Sequence, residues 1–230
     1  MSANADSHHH GPIDWPQEEY VGKITAGKLG MWIFLLSDAF SFSGLLLAYG
    51  IRRGASDMWR CSEELFNQGL CSWLERPEPE LGIPFTAGLT FLLICSSVSM
   101  VMTYAAVVEK DIKGAKLWLG LTILGGVLFL CGQMQEYFGT FAFIFHHEGL
   151  IADGLIFGQS NYATTFYTIT AFHGMHVFSG VTFLTVMWIK LARGHFNDGN
   201  ANLIEIAGLF WHFVDLVWIL VFTLIYLIPL

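Results

Sequence analysis

Five apolar stretches, each long enough to cross a bilayer, decide what this chain can fold into. They run roughly from Leu29 to Tyr49, Pro84 to Val108, Leu117 to Phe138, Tyr162 to Ile189 and Ile206 to Ile228. At a rise of about 1.5 Å per residue, some 20 helical residues span the hydrocarbon core. Hydrocarbon offers no partner for backbone N–H and C=O groups, so an isolated apolar run of this length must satisfy them internally, as a helix. The composition agrees: 54% of the 230 residues are hydrophobic and only 13% charged, about half the charge of an ordinary soluble domain. The expectation is an all-α membrane protein, a bundle of five transmembrane helices. Residues 1–28 read as a polar tail, in which Pro12 and Pro16 oppose a long helix. Residues 29–230 form the membrane domain, with an external loop at 51–83. His8, His9 and His10 read as part of the tail rather than as a metal site.

Five crossings put the two termini on opposite sides. One side then holds Lys23, Lys28, Lys110, Lys113, Lys116, Lys190 and Arg193, the other Arg52, Arg53, Arg60 and Arg76. The larger group marks the cytoplasmic face, so the N-terminus is expected in the cytoplasm and the C-terminus in the periplasm of a bacterial inner membrane. The net charge of −8, with Asp6, Asp14, Glu18 and Glu19 early in the chain, makes nucleic acid a poor partner. The polar N-terminus lacks the basic-then-apolar order of a secretory signal, so no cleaved leader is expected.

In the external loop, Cys61 and Cys71 would face an oxidising compartment, and a disulfide between them is expected. Cys95 and Cys131 lie within spans and read as small packing residues. His146, His147, Glu148 and Asp153 crowd the loop 139–161. Adjacent residues rarely converge on one metal without partners from elsewhere, so these read as a solvated loop.

The spans carry six ionisable residues: Asp38, Glu136, His173, His176, His212 and Asp215. Ionisable groups are costly in hydrocarbon, so each should face protein rather than lipid. His212 and Asp215 are three apart and share a helix face, and Trp211 and Trp218, seven apart, frame it as a docking face for other helices. These groups form an intramembrane polar network, either as structural hydrogen bonds across helix interfaces or as a proton relay. Gly174, Gly180 and Gly208 beside them would let helices approach closely. A haem held between histidines of two helices is a competing reading, and it would make the chain the membrane anchor of a dehydrogenase. A small transporter would show broken helices and an internal repeat, and neither is evident. Phosphate loops, dinucleotide fingerprints and nucleophile–base patterns are likewise not evident.

Two motifs then point to a family. The run Thr164-Thr-Phe-Tyr-Thr-Ile-Thr-Ala-Phe-His-Gly-Met-His-Val-Phe-Ser-Gly180 resembles the signature of subunit III of the haem–copper oxidases, where a Thr-Phe-Phe stretch leads into Phe-His-Gly-x-His-Val. Trp211-His-Phe-Val-Asp-Leu-Val-Trp218 resembles its C-terminal Trp-His-Phe-Val-Asp-x-Val-Trp, and Gln135-Glu-Tyr137 its Glu-Tyr at the end of the middle helix. The resemblance covers the last three spans in order, and the first two align by position. It is to the shorter, five-span members.

The resemblance implies an all-helical subunit that binds no haem or metal itself. The haems and copper would sit in subunit I, which reduces oxygen to water and pumps protons. This chain would stabilise subunit I, with subunit II in the same complex and a larger respiratory supercomplex beyond, would bind structural phospholipid and would support proton uptake. Both cytochrome c and quinol oxidases carry such a subunit. One position departs from the pattern: where the family has a buried Glu in Ser/Thr-Glu-x-x-x-Phe, Ser37-Asp38-Ala-Phe-Ser-Phe42 places an Asp, one methylene shorter.

Overall fold

The apolar runs fold as helices throughout. The computed structural model describes residues 25–55, 67–68, 82–139, 149–152, 154–158, 160–196 and 201–228. Helix α1 spans Ala26–Gly54, α2 Ile83–Val108, α3 Ile112–Phe138, α4 Asn161–Ala192 and α5 Asn202–Val221. A π-helical turn, Phe222–Leu227, extends α5. All five are long and apolar enough to cross a membrane, and no strand occurs among the described residues. Helices α1, α3 and α4 outrun their apolar runs, because polar residues at the water interface continue the hydrogen-bond ladder.

Local chemistry sets the helix ends. Pro84 lies in the first turn of α2, where its missing N–H costs nothing. Asp111 caps α3 by accepting from the Gly114 N–H at 3.1 Å, and Ser160 caps α4 by accepting from the Ala163 N–H at 2.9 Å. Helix α3 stops at Gly139, which takes a left-handed φ of 61° and returns its N–H to the Gln135 carbonyl.

Helices α2, α3, α4 and α5 close a ring in which each packs on its two neighbours, and α1 lies outside it across α4 and α5. Lys28 pairs with Glu205 at 2.6 Å near the start of both helices, and Arg53 donates to the Ile228 carbonyl at 3.0 Å near their ends. Helices α1 and α5 are therefore parallel, as five alternating spans require. Helix α5 is the most buried of the five and α1 the least. The outward face of α1 presents Trp32, Ile33, Leu36, Phe40 and Leu47, the inverse of a water-soluble surface and what a lipid or a partner helix would cover.

Glycines allow the ring to close tightly. A Cβ on Gly126 of α3 would lie 2.5 Å from Val181 Cγ2 and 2.6 Å from Trp211 Cη2. On α4, a Cβ on Gly180 would meet the same indole at 3.0 Å. Trp211 is thus seated between two glycines on neighbouring helices. Gly174 makes room for Gln133 instead, and Gly208 merely touches Met100.

The Cys61–Cys71 pair, the cluster His146, His147, Glu148 and Asp153, and most of the polar tail lie outside the described residues. Cys95 and Cys131 do not pack inside the bundle. Both are exposed on its apolar surface, because their neighbours Ser96 and Gly132 take the inward positions.

Candidate functional site

The six ionisable residues of the spans are drawn into separate seams between helices rather than into one cluster. At the α1–α4 seam, His176 Nε2 lies 3.1 Å from Asp38 Oδ1. His176 Nδ1 lies 2.8 Å from the Phe172 carbonyl, and a carbonyl can only accept, so Nδ1 carries a proton. The Nε2–Oδ1 contact then needs one more proton, held by either partner. An imidazolium–carboxylate pair and an imidazole–carboxylic acid pair satisfy the same geometry with the same proton count. Phe42 and Phe172 flank the His176 ring at centroid distances of 5.1 and 4.7 Å. Asp38 Oδ2 is buried without a hydrogen-bond partner among the described residues.

At the far end of the ring, Glu136 joins three elements. Its Oε2 accepts from the Tyr226 hydroxyl in the π-turn at 3.1 Å, and its Oε1 lies 3.1 Å from Thr86 Oγ1 on α2. Thr86 shares its single hydrogen with the Gly82 carbonyl at 3.2 Å. Beside it, the Gln133 amide donates to the Tyr137 hydroxyl at 2.9 Å, and Tyr137 donates to Thr170 Oγ1 at 2.6 Å. Thr170 passes its own hydrogen to the Phe166 carbonyl at 2.7 Å. Every hydroxyl in this relay both accepts and donates, an arrangement in which each bond polarises the next.

The α2–α5 seam is a ladder. Trp211 Nε1 donates to Ser96 Oγ at 3.1 Å and Trp218 Nε1 to Thr90 Oγ1 at 3.0 Å. Each hydroxyl then donates to a carbonyl of its own helix. Ser97 Oγ and His212 Nδ1 are 2.6 Å apart. Both tryptophans are almost wholly buried, so the face they frame docks α5 onto this chain's own helices.

His173 stands apart from these seams. It is fully buried, its ring lies between Phe129 and Trp218 at 5.7 and 4.7 Å, and neither nitrogen has a hydrogen-bond partner among the described residues. Asp215, three residues beyond His212, is buried with Oδ1 likewise unpartnered. Neither His173 nor His176 meets Glu136 or Asp215. His176 turns to α1 instead, because α1 packs across α4.

Comparison with known proteins agrees with the motifs these seams contain. A family model described as cytochrome c oxidase subunit III matches residues 18–229. The chain belongs to the cytochrome c oxidase subunit III family. Subunit 3 of the cytochrome c oxidase of Thermostichus vulcanus is 32% identical over 87% of this chain and 86% of that protein. The corresponding subunit of Synechocystis is 34% identical over 86% of this chain and 74% of its own length. That of Bacillus sp. strain PS3 is 30% identical over 86% and 84%. As a member of the subunit III family, this chain is a multi-pass membrane protein and one component of a multi-subunit oxidase rather than an enzyme on its own.

Several residues that build the subunit III seams carry no charge and stand outside the ionisable set: Thr86, Thr90, Ser96, Ser97, Thr170 and Tyr226. A signal for most of the α2 group was present. Thr86, Thr90, Leu93, Ser96, Met100, Thr103 and Val107 recur every three or four residues and form one buried face. Hydroxyls on such a face mark helix interfaces in membranes.

Proposed function

We propose that this chain is the non-catalytic third subunit of a haem–copper oxidase in a bacterial inner membrane, where it stabilises subunit I beside subunit II. The observation that carries this reading is how its polar groups are used. Hydroxyls, indoles, Glu136 and His176 bind neighbouring helices of the same chain, fixing register. His173 has aromatic rings against it where a haem iron would need space. Scaffolding suits a chain whose interior is committed to itself and whose outer faces are apolar.

Two finer roles belong to the same proposal. Asp38 and His176, with one proton between them at the least buried helix, are placed to support proton uptake by the assembled oxidase. Phospholipid fills the apolar surface between helices. In this reading the end of the bundle bearing Lys110, Lys113, Lys116, Lys190 and Arg193 faces the cytoplasm.

The test is a gentle-detergent pull-down through the full chain, with partner proteins identified and a reduced-minus-oxidised spectrum recorded. Recovery of subunits I and II with oxidase haem bands is the expected outcome. Recovery of the chain alone with its own haem would overturn the reading in favour of an electron-transfer anchor.

A further inference from the structure

Contact between buried aromatic rings is ordinary packing and asks for no function. The rings at the end of α5 have hydrogen bonds that packing does not require. Trp218 lies with its ring centroid 4.7 Å from that of His173, 4.8 Å from that of Phe129 and 6.3 Å from that of Tyr226. Tyr226 sits in the π-turn and donates its hydroxyl hydrogen to Glu136 Oε2 at 3.1 Å. An indole, a phenol and a carboxyl group thus stand in sequence, and all three residues are buried. Single π-turns within helices recur at functional sites, and this one delivers a phenol to a carboxyl group.

Indole and phenol are among the side chains most easily stripped of one electron, and their hydrogen bonds decide where the loss comes to rest. The Trp218 N–H donates to Thr90 Oγ1 at 3.0 Å, and Thr90 gives its own hydrogen to the Thr86 carbonyl at 2.8 Å. A neutral hydroxyl is no base, so an oxidised Trp218 keeps its proton and stays a radical cation, a strong oxidant. Tyr226 has the opposite setting. A phenol that loses an electron becomes a strong acid, and an ionised Glu136 is within hydrogen-bond reach to take its proton. Thr86 Oγ1 stands 3.1 Å from the other oxygen of that carboxyl group. Tyr137 and Tyr167 donate instead to Thr170 Oγ1 and to the Leu155 carbonyl, neither of which can keep a proton.

We propose that Trp218, Tyr226 and Glu136 form a one-electron relay that traps oxidising equivalents in this chain as a tyrosyl radical. An oxygen-derived radical beside the bundle takes one electron from Trp218 and leaves as its anion. The Trp218 radical cation takes one electron from Tyr226 and is restored. The Tyr226 hydroxyl proton passes to Glu136 Oε2, leaving a neutral tyrosyl radical and a carboxylic acid. An electron returned by a thiolate, which leaves as a thiyl radical, draws the proton back from Glu136 and resets the pair. This is no step of oxygen reduction. It goes beyond the scaffold role and needs only this chain.

The test uses the full chain in mild detergent, irradiated with light that tryptophan absorbs and tyrosine does not. Indolyl and tyrosyl radicals are followed by transient absorption and by electron paramagnetic resonance of frozen samples. In wild type the radical should pass from indole to phenol, and ring-deuterated tyrosine should collapse the hyperfine pattern of the final signal. Tyr226→Phe and Trp218→Phe should each lose most of that transfer, while Tyr104→Phe, at an exposed position on α2, should leave its yield unchanged. Glu136→Gln, which keeps an acceptor oxygen but supplies no base, should slow the transfer at unchanged helix content. The absence of a tyrosyl radical in wild type, a measurement that needs no variant to fold, would overturn the proposal. So would an unchanged yield in Tyr226→Phe, an equal loss in Tyr104→Phe, or an unchanged rate in Glu136→Gln. Co-purification of oxidase subunits bears on the scaffold reading alone, and radical transfer stands or falls by itself.

Discussion

At the scale of single residues, the pair Asp38–His176 makes the sharpest prediction. An amide nitrogen can donate to His176 Nε2 as a carboxylic acid does. Asp38→Asn should therefore leave the melting temperature of the detergent-solubilised chain nearly unchanged. Asp38→Ala leaves the imidazole without its partner across the α1–α4 seam and should cost about 1 kcal/mol, within the range of such bonds in membranes. If both variants melt alike, the pair does not hold the seam. A second prediction concerns shape rather than polarity. Gly126→Ala drives a methyl into Trp211 and Val181 and should cost about 1–3 kcal/mol. Gly44→Ala, with nothing within 4 Å, should be neutral or slightly stabilising in the isolated chain. Thermal unfolding of the two variants side by side checks the contrast.

At the scale of elements, α5 and its π-turn form the centre, and α1 is the adaptor. The π-turn brings the Tyr226 hydroxyl to Glu136, which also meets Thr86. Tyr226→Phe removes that donor and should speed amide hydrogen exchange in 222–227 while leaving α1 protected. Uniform loosening of the whole chain would contradict a local latch. For α1, a photo-crosslinker at exposed Phe40 should trap a neighbouring oxidase subunit in the native membrane. One at buried Leu93 on α2 should trap only this chain. Much of this level was legible beforehand, because apolar runs of 20 residues or more leave the backbone one solution in hydrocarbon. Trp211 and His212 declared an interface by their place inside a span. The partner of each polar group was not legible, since it depends on which helices touch. His176 meets Asp38 because α1 crosses α4, a fact no local pattern contains. The π-turn was also hidden: Phe222–Leu227 has the same apolar character as the regular helix before it.

For the whole molecule, a bundle that spends its polar groups on its own helices and turns apolar side chains outward should act on the oxidase by holding it together. Chemistry would remain with the partner subunits. The most direct measurement is oxygen reduction by the oxidase purified with and without this chain, following both the initial rate and its decay over successive turnovers. The account predicts an initial rate largely retained without the chain, followed by faster inactivation, and restored durability when the chain is added back. An initial rate that collapses at once, with subunits I and II and their haem spectrum intact, would contradict it and place a step of the chemistry in this chain.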